Sequence, residues 1–233
     1  MKQNLEARRV EVSARRSDGG GILVIGLGRF GCHLAASLTR MDREVLAVDR
    51  NPAQVQRFSD KIDRVVQADS TEEGALRQLG VASFARAVVA IGASVEASVL
   101  TVLALVELGV PQIWARATSQ KHAKILSSVG AHHVIFPEAE TGDRVAHLIV
   151  SRLLDFVEFD DDFAIATVRV PESFVGRTLL DLRPDERSGV RVIGAKVPGE
   201  RFRYASDDTT LTQGGVLIVE GGIDQVQRFA GRR

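Results

Sequence analysis

The chain reads as an α/β protein: a doubly wound parallel-sheet, Rossmann-type domain, followed by a crossover helix and a small α+β C-terminal lobe. Three observations predict this. Between Gly21 and Phe136 short apolar runs alternate with helical patterns, the rhythm of βαβ units. The first run, Ile22 to Ile25, leads straight into Gly26-Leu27-Gly28-Arg29-Phe30-Gly31, the glycine spacing that opens a helix after a strand in dinucleotide-binding folds. Beyond the acidic run Asp160-Asp161-Asp162 the pattern changes to short strands parted by turn signals such as Pro198-Gly199 and Gly214-Gly215.

Residues 1–20 are polar and charged and close on Asp18-Gly19-Gly20, which reads as a mobile tail. They lack the apolar centre of a secretory signal. The arginine pairs Arg8-Arg9 and Arg15-Arg16 are diluted by Glu6, Glu11 and Asp18, as on a solvated segment. The Rossmann-type domain is expected over 21–137, with strands at 22–26, 44–48, 64–68, 86–91, 112–117 and 132–136. Helices are expected near 30–41, 52–59, 71–79, 94–108 and 119–129. Strands so continuous in apolar residues are buried on both faces, as a parallel sheet requires. After Pro137, the spacing of Val145, Leu148, Ile149, Leu153 and Phe156 predicts one amphipathic helix over 138–156, in a crossover segment assigned to 138–157. The C-terminal lobe, 158–233, carries strand patterns at 164–170, 190–197, 200–205 and 216–220 and a closing helix at 224–230. A lobe this small is expected to pack on something else, such as a copy of itself.

Composition narrows the function classes. The 233 residues are 45% hydrophobic and carry 30 basic against 30 acidic side chains, an ordinary globular composition. A formal net charge of zero argues against a dedicated nucleic-acid binder, which shows a basic excess. No apolar run reaches the length of a membrane helix. The single cysteine, Cys32, cannot close an intrachain disulfide, and a cytosolic protein is the natural reading. Cys32 itself is expected to be a small residue packing the first turn of its helix.

The chemistry concentrates where strands end. In a doubly wound sheet, ligands sit outside the carboxyl ends of the strands. The residues there are Gly26 to Gly31, Asp49-Arg50, Asp69-Ser70, Gly92, Arg116 and Pro137-Glu138. Gly26 suits the tight turn, Gly28 leaves room for a phosphate, and Gly31 permits close helix–strand packing. The helix start offers free N–H groups to a phosphate. Asp49, about 20 residues beyond the glycines, is placed to accept from a ribose diol. An adenine nucleotide or dinucleotide is the predicted ligand. The rest of the chain offers little catalytic equipment. All five histidines precede residue 148, and the segment after it holds one lysine, Lys196, and one tyrosine, Tyr204. The neighbours His132 and His133 lie on one predicted strand and should face opposite sides, one buried and one exposed. No GxxxxGK[ST] loop occurs. A nucleotide fold with a small second lobe and no evident catalytic set suggests a sensor.

Five segments together resemble the RCK family, the regulator-of-potassium-conductance subunits of bacterial Ktr and Trk uptake systems. They are GLGRFG, the LAVD ending on Asp49, AIGASVEAS at 90–98, IWARA at 113–117 and HVIFPE at 133–138. The resemblance runs from about residue 21 to the C-terminus and is nearest to the Ktr-type cytosolic subunit, a chain separate from its channel. It implies an RCK N-lobe and C-lobe, and homodimers that assemble into a homo-octameric ring beneath a membrane potassium channel of Ktr or Trk type. It also implies that ATP or ADP in the first domain changes the ring and so the channel, with the helix at 138–156 as lever. By resemblance Asp49 holds the adenosine ribose and the Gly26–Gly31 backbone, with Leu27 and Phe30, the phosphates. Arg29 reaches a γ-phosphate, that of a neighbouring subunit's nucleotide included. Arg50, Asp69, Ser70, Ile91, Gly92 and Glu96 complete the nucleotide set. Arg116 stands where the family often has lysine, and either cation neutralises phosphate. Glu138 matches a carboxylate that helps bind a cation, Mg2+, Ca2+ or Na+, at the dimer contact. An acid in a helix's first turn is also favoured by the dipole alone.

Several family members bind cyclic di-AMP in the C-terminal lobe. Here the corresponding loop, Arg183-Pro184-Asp185-Glu186-Arg187-Ser188, carries two acids that repel the ligand's two phosphates unless the arginines turn inward. The alternative function is an NAD(H)-dependent oxidoreductase or NAD(H) redox sensor, since Asp49 suits either NAD or ATP and Arg50 leaves an opening for a 2′-phosphate. An RCK protein regulating something other than potassium flux is the third reading.

Overall fold

The computed structural model describes residues 20–150, 153–159 and 162–231, so the predicted tail lies, but for Gly20, outside the described residues. The chain divides into two compact units at Pro137/Glu138.

Unit one is built on six parallel strands: β1 (Ile22–Ile25), β2 (Val45–Asp49), β3 (Arg64–Gln67), β4 (Arg86–Val89), β5 (Gln112–Arg116) and β6 (His133–Ile135). Their order is β3-β2-β1-β4-β5-β6, with every neighbouring pair parallel. The order reverses between β1 and β4, which opens a crevice at the carboxyl ends of those two strands. Between the strands run α1 (Arg29–Arg40), α2 (Pro52–Phe58), α3 (Glu73–Gln78), α4 (Val95–Glu107) and α5 (Gln120–Ser128).

The two-residue period of a strand sorts its side chains into two cores. Leu23, Ile25, Leu46, Val48, Ala87, Val89 and Ile113 meet Val102 and Leu105 of α4 and Leu126 of α5 on one face. Ile22, Val24, Val45 and Ala47 meet Ala35 of α1, Phe58 of α2 and Ile62 on the other. Val45 to Val48 have no exposed surface, and burial of the Val45, Leu46 and Val48 side chains contributes about 1.5–3 kcal/mol each. Three of these helix starts are capped by a side-chain oxygen. Asn51 accepts from Ala53 N–H, Ser94 from Ala97 N–H and Ser119 from His122 N–H. Helix α1 starts on Gly28, with no side-chain cap and no acid in its first turn.

The neighbouring histidines depart from expectation. Both are exposed, because β6 begins at His133 on the sheet's edge and His132 precedes it. His132 Nδ1 instead accepts from Ile113 N–H at 3.1 Å, and His133 stacks on Trp114 with ring centroids 4.0 Å apart. Among the described residues the buried histidine is His122, 2% exposed.

Unit two opens with α6 (Pro137–Val150), whose first residue closes unit one, and continues into an antiparallel sheet. Its strands are β7 (Leu153–Phe159), β8 (Phe163–Arg169), β9 (Val190–Lys196), β10 (Arg203–Tyr204) and β11 (Val216–Gly222), in the order β10-β9-β11-β8-β7. The helix expected over 138–156 is described as far as Val150, and its last predicted turn, from Leu153, belongs to a strand. Leu153 and Phe156 fit a helical spacing, but the same run Leu153 to Phe159 pairs with β8. Phe156 lies opposite Ala166 and Phe159 opposite Phe163. Periodicity cannot separate the two states in so short an apolar run.

The strand expected at 200–205 shrinks to Arg203–Tyr204, since Glu200 N–H closes a turn on Val197 O at 3.0 Å. Two short helices were not anticipated, α7 (Leu179–Leu182) and α8 (Pro184–Ser188). Thr178 and Asp181 cap the first of them reciprocally. The closing helix α9 (Ile223–Ala230) sets Val226 and Phe229 into a core with Phe174, Leu179, Leu217 and Val219.

Leu105 lies fully buried between α4 and the sheet. Leu105→Ala is expected to lower stability by about 2–5 kcal/mol, read from the midpoint of chemical denaturation.

Candidate functional site

The candidate site lies along the carboxyl ends of the parallel strands, and its centre is the link between the glycine loop and Asp49. Asp49 ends β2, beside the end of β1. Its Oδ2 accepts from Leu27 N–H at 2.6 Å, and its Oδ1 from Asn51 N–H at 2.8 Å. One carboxylate thus holds the loop after β1 and the turn into α2. Each oxygen keeps a second acceptor position, so ribose hydroxyls can join these two donors. The backbone of Asp49 is held from the other side, where Ala68 N–H donates to its carbonyl at 3.2 Å.

Close packing shapes the loop itself. Gly26 has φ +95°, which disfavours any side chain, and a Cβ there would press on Ala90 and Ile91 at the end of β4. A Cβ on Gly31 would overlap the Gly26 carbonyl oxygen, so α1 can start this close to β1 only with glycine. Gly28 is different. A Cβ on it would meet nothing within 4 Å, so the loop leaves open space there, where a phosphate would lie. The N–H groups of the first turn of α1, uncapped by any side chain, complete a cradle that fits a phosphate. Arg29 is exposed at the start of this helix. Phe30 is half-buried, and Cys32, also half-buried, donates its S–H to Arg29 O at 3.3 Å.

The remaining predicted residues divide. Arg116, half-buried at the end of β5, lies across Gly92: a methyl group at Gly92 would overlap the guanidinium. These two residues belong together, and only glycine at 92 leaves the arginine its place. Asp69 follows β3, and its Oδ1 accepts from Thr71 Oγ1 at 2.7 Å and Thr71 N–H at 3.0 Å. Those bonds, the hydroxyl's first, hold the Asp69 pKa below the ordinary aspartate value, with a contribution from the Arg50 charge. Ser70 turns away from the edge. It is buried, and its hydroxyl lies 2.9 Å from Thr101 Oγ1. Glu96 is exposed in the first turn of α4. Glu138 is exposed in the first turn of α6 and belongs to unit two. Among the described residues no cluster of three His, Cys, Asp or Glu side chains forms a metal site. In unit two, Arg183 pairs with Glu186 at 3.2 Å, so this arginine of the predicted anion loop already neutralises one of the loop's acids.

Sequence reading passed over three residues that shape the site. Asn51 donates to Asp49 and caps α2; the Asn-Pro step after Asp49 is the signal for it. Thr118 and His122 order the turn after Arg116, where Thr118 N–H lies 3.3 Å and Thr118 Oγ1 3.2 Å from His122 Nδ1. Ser119 marks that helix start, but nothing in the residue pattern shows where the imidazole turns.

Comparison with known proteins identifies two domains along the chain. A TrkA-N domain matches residues 22–137 and a TrkA-C domain residues 163–231. The chain is 35% identical over 210 residues to Ktr system potassium uptake protein C of Bacillus subtilis, covering 90% of this chain and 95% of that one. To Ktr system potassium uptake protein A of Vibrio alginolyticus it is 34% identical over 204 residues, 87% of this chain and 93% of that one. Among solved structures it is similar to the GsuK RCK domain, with TM-score 0.64 and 21% identity over 93% of this chain. A GsuK channel bound to NAD gives TM-score 0.62 at 21% identity over 91% of this chain. The chain spans 48% and 39% of those two GsuK chains, and the likeness speaks for the fold. A TrkA-N domain followed by a TrkA-C domain, with a third of its residues shared with Ktr proteins along nearly their whole length, places the chain in the RCK family of potassium-uptake regulatory subunits.

Proposed function

We propose that this chain is the nucleotide-sensing regulatory subunit of a potassium uptake system, working at the cytoplasmic face of the membrane through a separate channel subunit. The observation that carries the reading is the Asp49 link, a carboxylate bonded to Leu27 N–H at 2.6 Å beside an open Gly28 and an uncapped helix start. In a chain of this family, that combination favours a ribonucleotide whose phosphates enter the glycine loop.

ATP and ADP are the proposed ligands. The Gly26–Gly31 backbone takes the phosphates and Asp49 the ribose. Arg29 meets a γ-phosphate, where a guanidinium separates tri- from diphosphate by charge and by the number of hydrogen bonds it makes. Arg116 adds a second cation, and Glu138 is the proposed carboxylate for Mg2+, Ca2+ or Na+ shared between subunits. The proposed working form is a homodimer assembled into a homo-octameric ring. Sensing needs no catalysis: ATP shifts the ring's shape only so far as it binds one shape more tightly than the other. Cyclic di-AMP in the C-terminal lobe is the less supported part, since Arg183 is engaged by Glu186.

The second reading, an NAD(H) sensor or oxidoreductase, has one observation in its favour: the fold it shares with a GsuK channel bound to NAD. Thermal shift and molar mass measured with ATP, ADP and NADH separate the two. The sensor proposal expects the larger stabilisation from ATP and ADP, together with a mass beyond a dimer. Stronger stabilisation by NADH with a dimer throughout refutes it.

Two variants sharpen the assignment. Arg29→Ala is expected to narrow the preference for ATP over ADP while ADP binding stays close to wild type; equal loss of both ligands means that Arg29 only supports the fold. Asp49→Ala is expected to weaken ATP, ADP and NADH alike, by about tenfold or more, as loss of hydrogen bonds to a charged group implies. Unchanged affinities in calorimetric titration place the ribose elsewhere.

A further inference from the structure

Strand β5 delivers Arg116 to the candidate site, and the next six residues contain an arrangement that packing alone does not require. His122 is 2% exposed in the first turn of α5. Its own N–H is bonded to Ser119 Oγ at 3.1 Å, and its Nδ1 receives Thr118 N–H at 3.3 Å with Thr118 Oγ1 at 3.2 Å. A ring nitrogen that accepts from a backbone N–H carries no proton, so the proton of the neutral imidazole lies on Nε2. That Nε2 is buried without a hydrogen-bond partner among the described residues. An apolar side chain would fill the space without an unsatisfied donor. What it would not supply is the acceptor for Thr118.

Thr118 stands two residues beyond Arg116, and between them Ala117 N–H is tied to Ile135 O at 2.9 Å on β6. The turn is thus held at both points that determine how the backbone leaves β5. Arg116 then lies across Gly92 in a space that a single methyl group would close. Burial, followed by the Arg116 charge, lowers the His122 pKa and so favours a neutral ring that can accept.

We infer that His122 is a positioning residue for anion binding: its Nδ1 fixes Thr118, which sets the course of Arg116 over Gly92 toward the phosphates of a bound nucleotide. The inference rests on the nucleotide reading of the site. It assigns His122 no contact with the ligand and makes Arg116 the group through which it acts.

The test is calorimetric titration of the full-length chain with ATP and with adenosine, alongside melting temperature. The variants are His122→Leu, His122→Asn, His122→Gln, Arg116→Gln and the double variant His122→Leu with Arg116→Gln. An asparagine amide oxygen occupies the place of Nδ1, whereas a glutamine amide reaches the place of Nε2. His122→Leu and His122→Gln are expected to weaken ATP about tenfold while adenosine affinity holds. His122→Asn should retain ATP affinity, and the double variant should bind ATP no worse than Arg116→Gln alone. Equal loss of ATP and adenosine makes His122 a general structural residue and overturns the inference. So does a double variant that adds the two losses, or an Asn variant as weak as Gln. Should His122→Leu fail to fold, the Asn and Gln pair decides. A wild-type chain that binds neither ATP nor ADP defeats the nucleotide reading itself, and the positioning role falls with it.

Discussion

The carboxylate of Asp49 is the point on which the site's geometry converges. Its two oxygens take N–H groups from Leu27 and Asn51, while its backbone carbonyl takes one from Ala68. Three loops that follow three different strands are thereby fixed to one residue. Hydrogen bonds to a charged group contribute about 1.5–3 kcal/mol each, enough to hold a glycine loop in one conformation. A loop containing three glycines has many conformations available, so without this acid it would keep far more of them. With it, much of the ordering cost is met during folding.

The same economy explains why α1 tolerates a start without a capping side chain. Helices α2, α4 and α5 each spend an Asn or Ser on their first turn. At α1 the covering group is absent; a side chain is disfavoured at Gly26 by its positive φ and excluded at Gly31 by the Gly26 carbonyl. The loop is tight where protein meets protein and open where Gly28 faces outward. Close packing and open space are thus assigned to different glycines of one motif.

Much of this was legible in the residue order because the signals were local and redundant. Strands such as Ile22–Ile25 and Val45–Asp49 are apolar without interruption, and each is followed by a helix with its own start signal. Six parallel strands with crossover helices therefore followed from spacing, while their order is read from the structure. The residues at the strand ends could be named for the same reason. Where the reading failed, the deciding contact was remote. Leu153 to Phe159 became a strand because β8 pairs with it, and no local pattern distinguishes that from another helical turn. Ser70 looked like a ligand donor by position, yet its hydroxyl is engaged by Thr101, 31 residues away. His132 was expected to alternate with His133, but the strand begins one residue too late for alternation to apply.

One feature of the sheet gives the chain an optical property of its own. Trp114 is the only tryptophan, 37% exposed and stacked on His133 of the adjacent edge strand. It stands two residues before Arg116 on the same strand. An indole so placed has emission that depends on its stacking partner and on the water around it. A displacement of β5 against β6 that disturbs this stack therefore changes the tryptophan emission of the unlabelled protein, which comes from a single indole whose position in the fold is known.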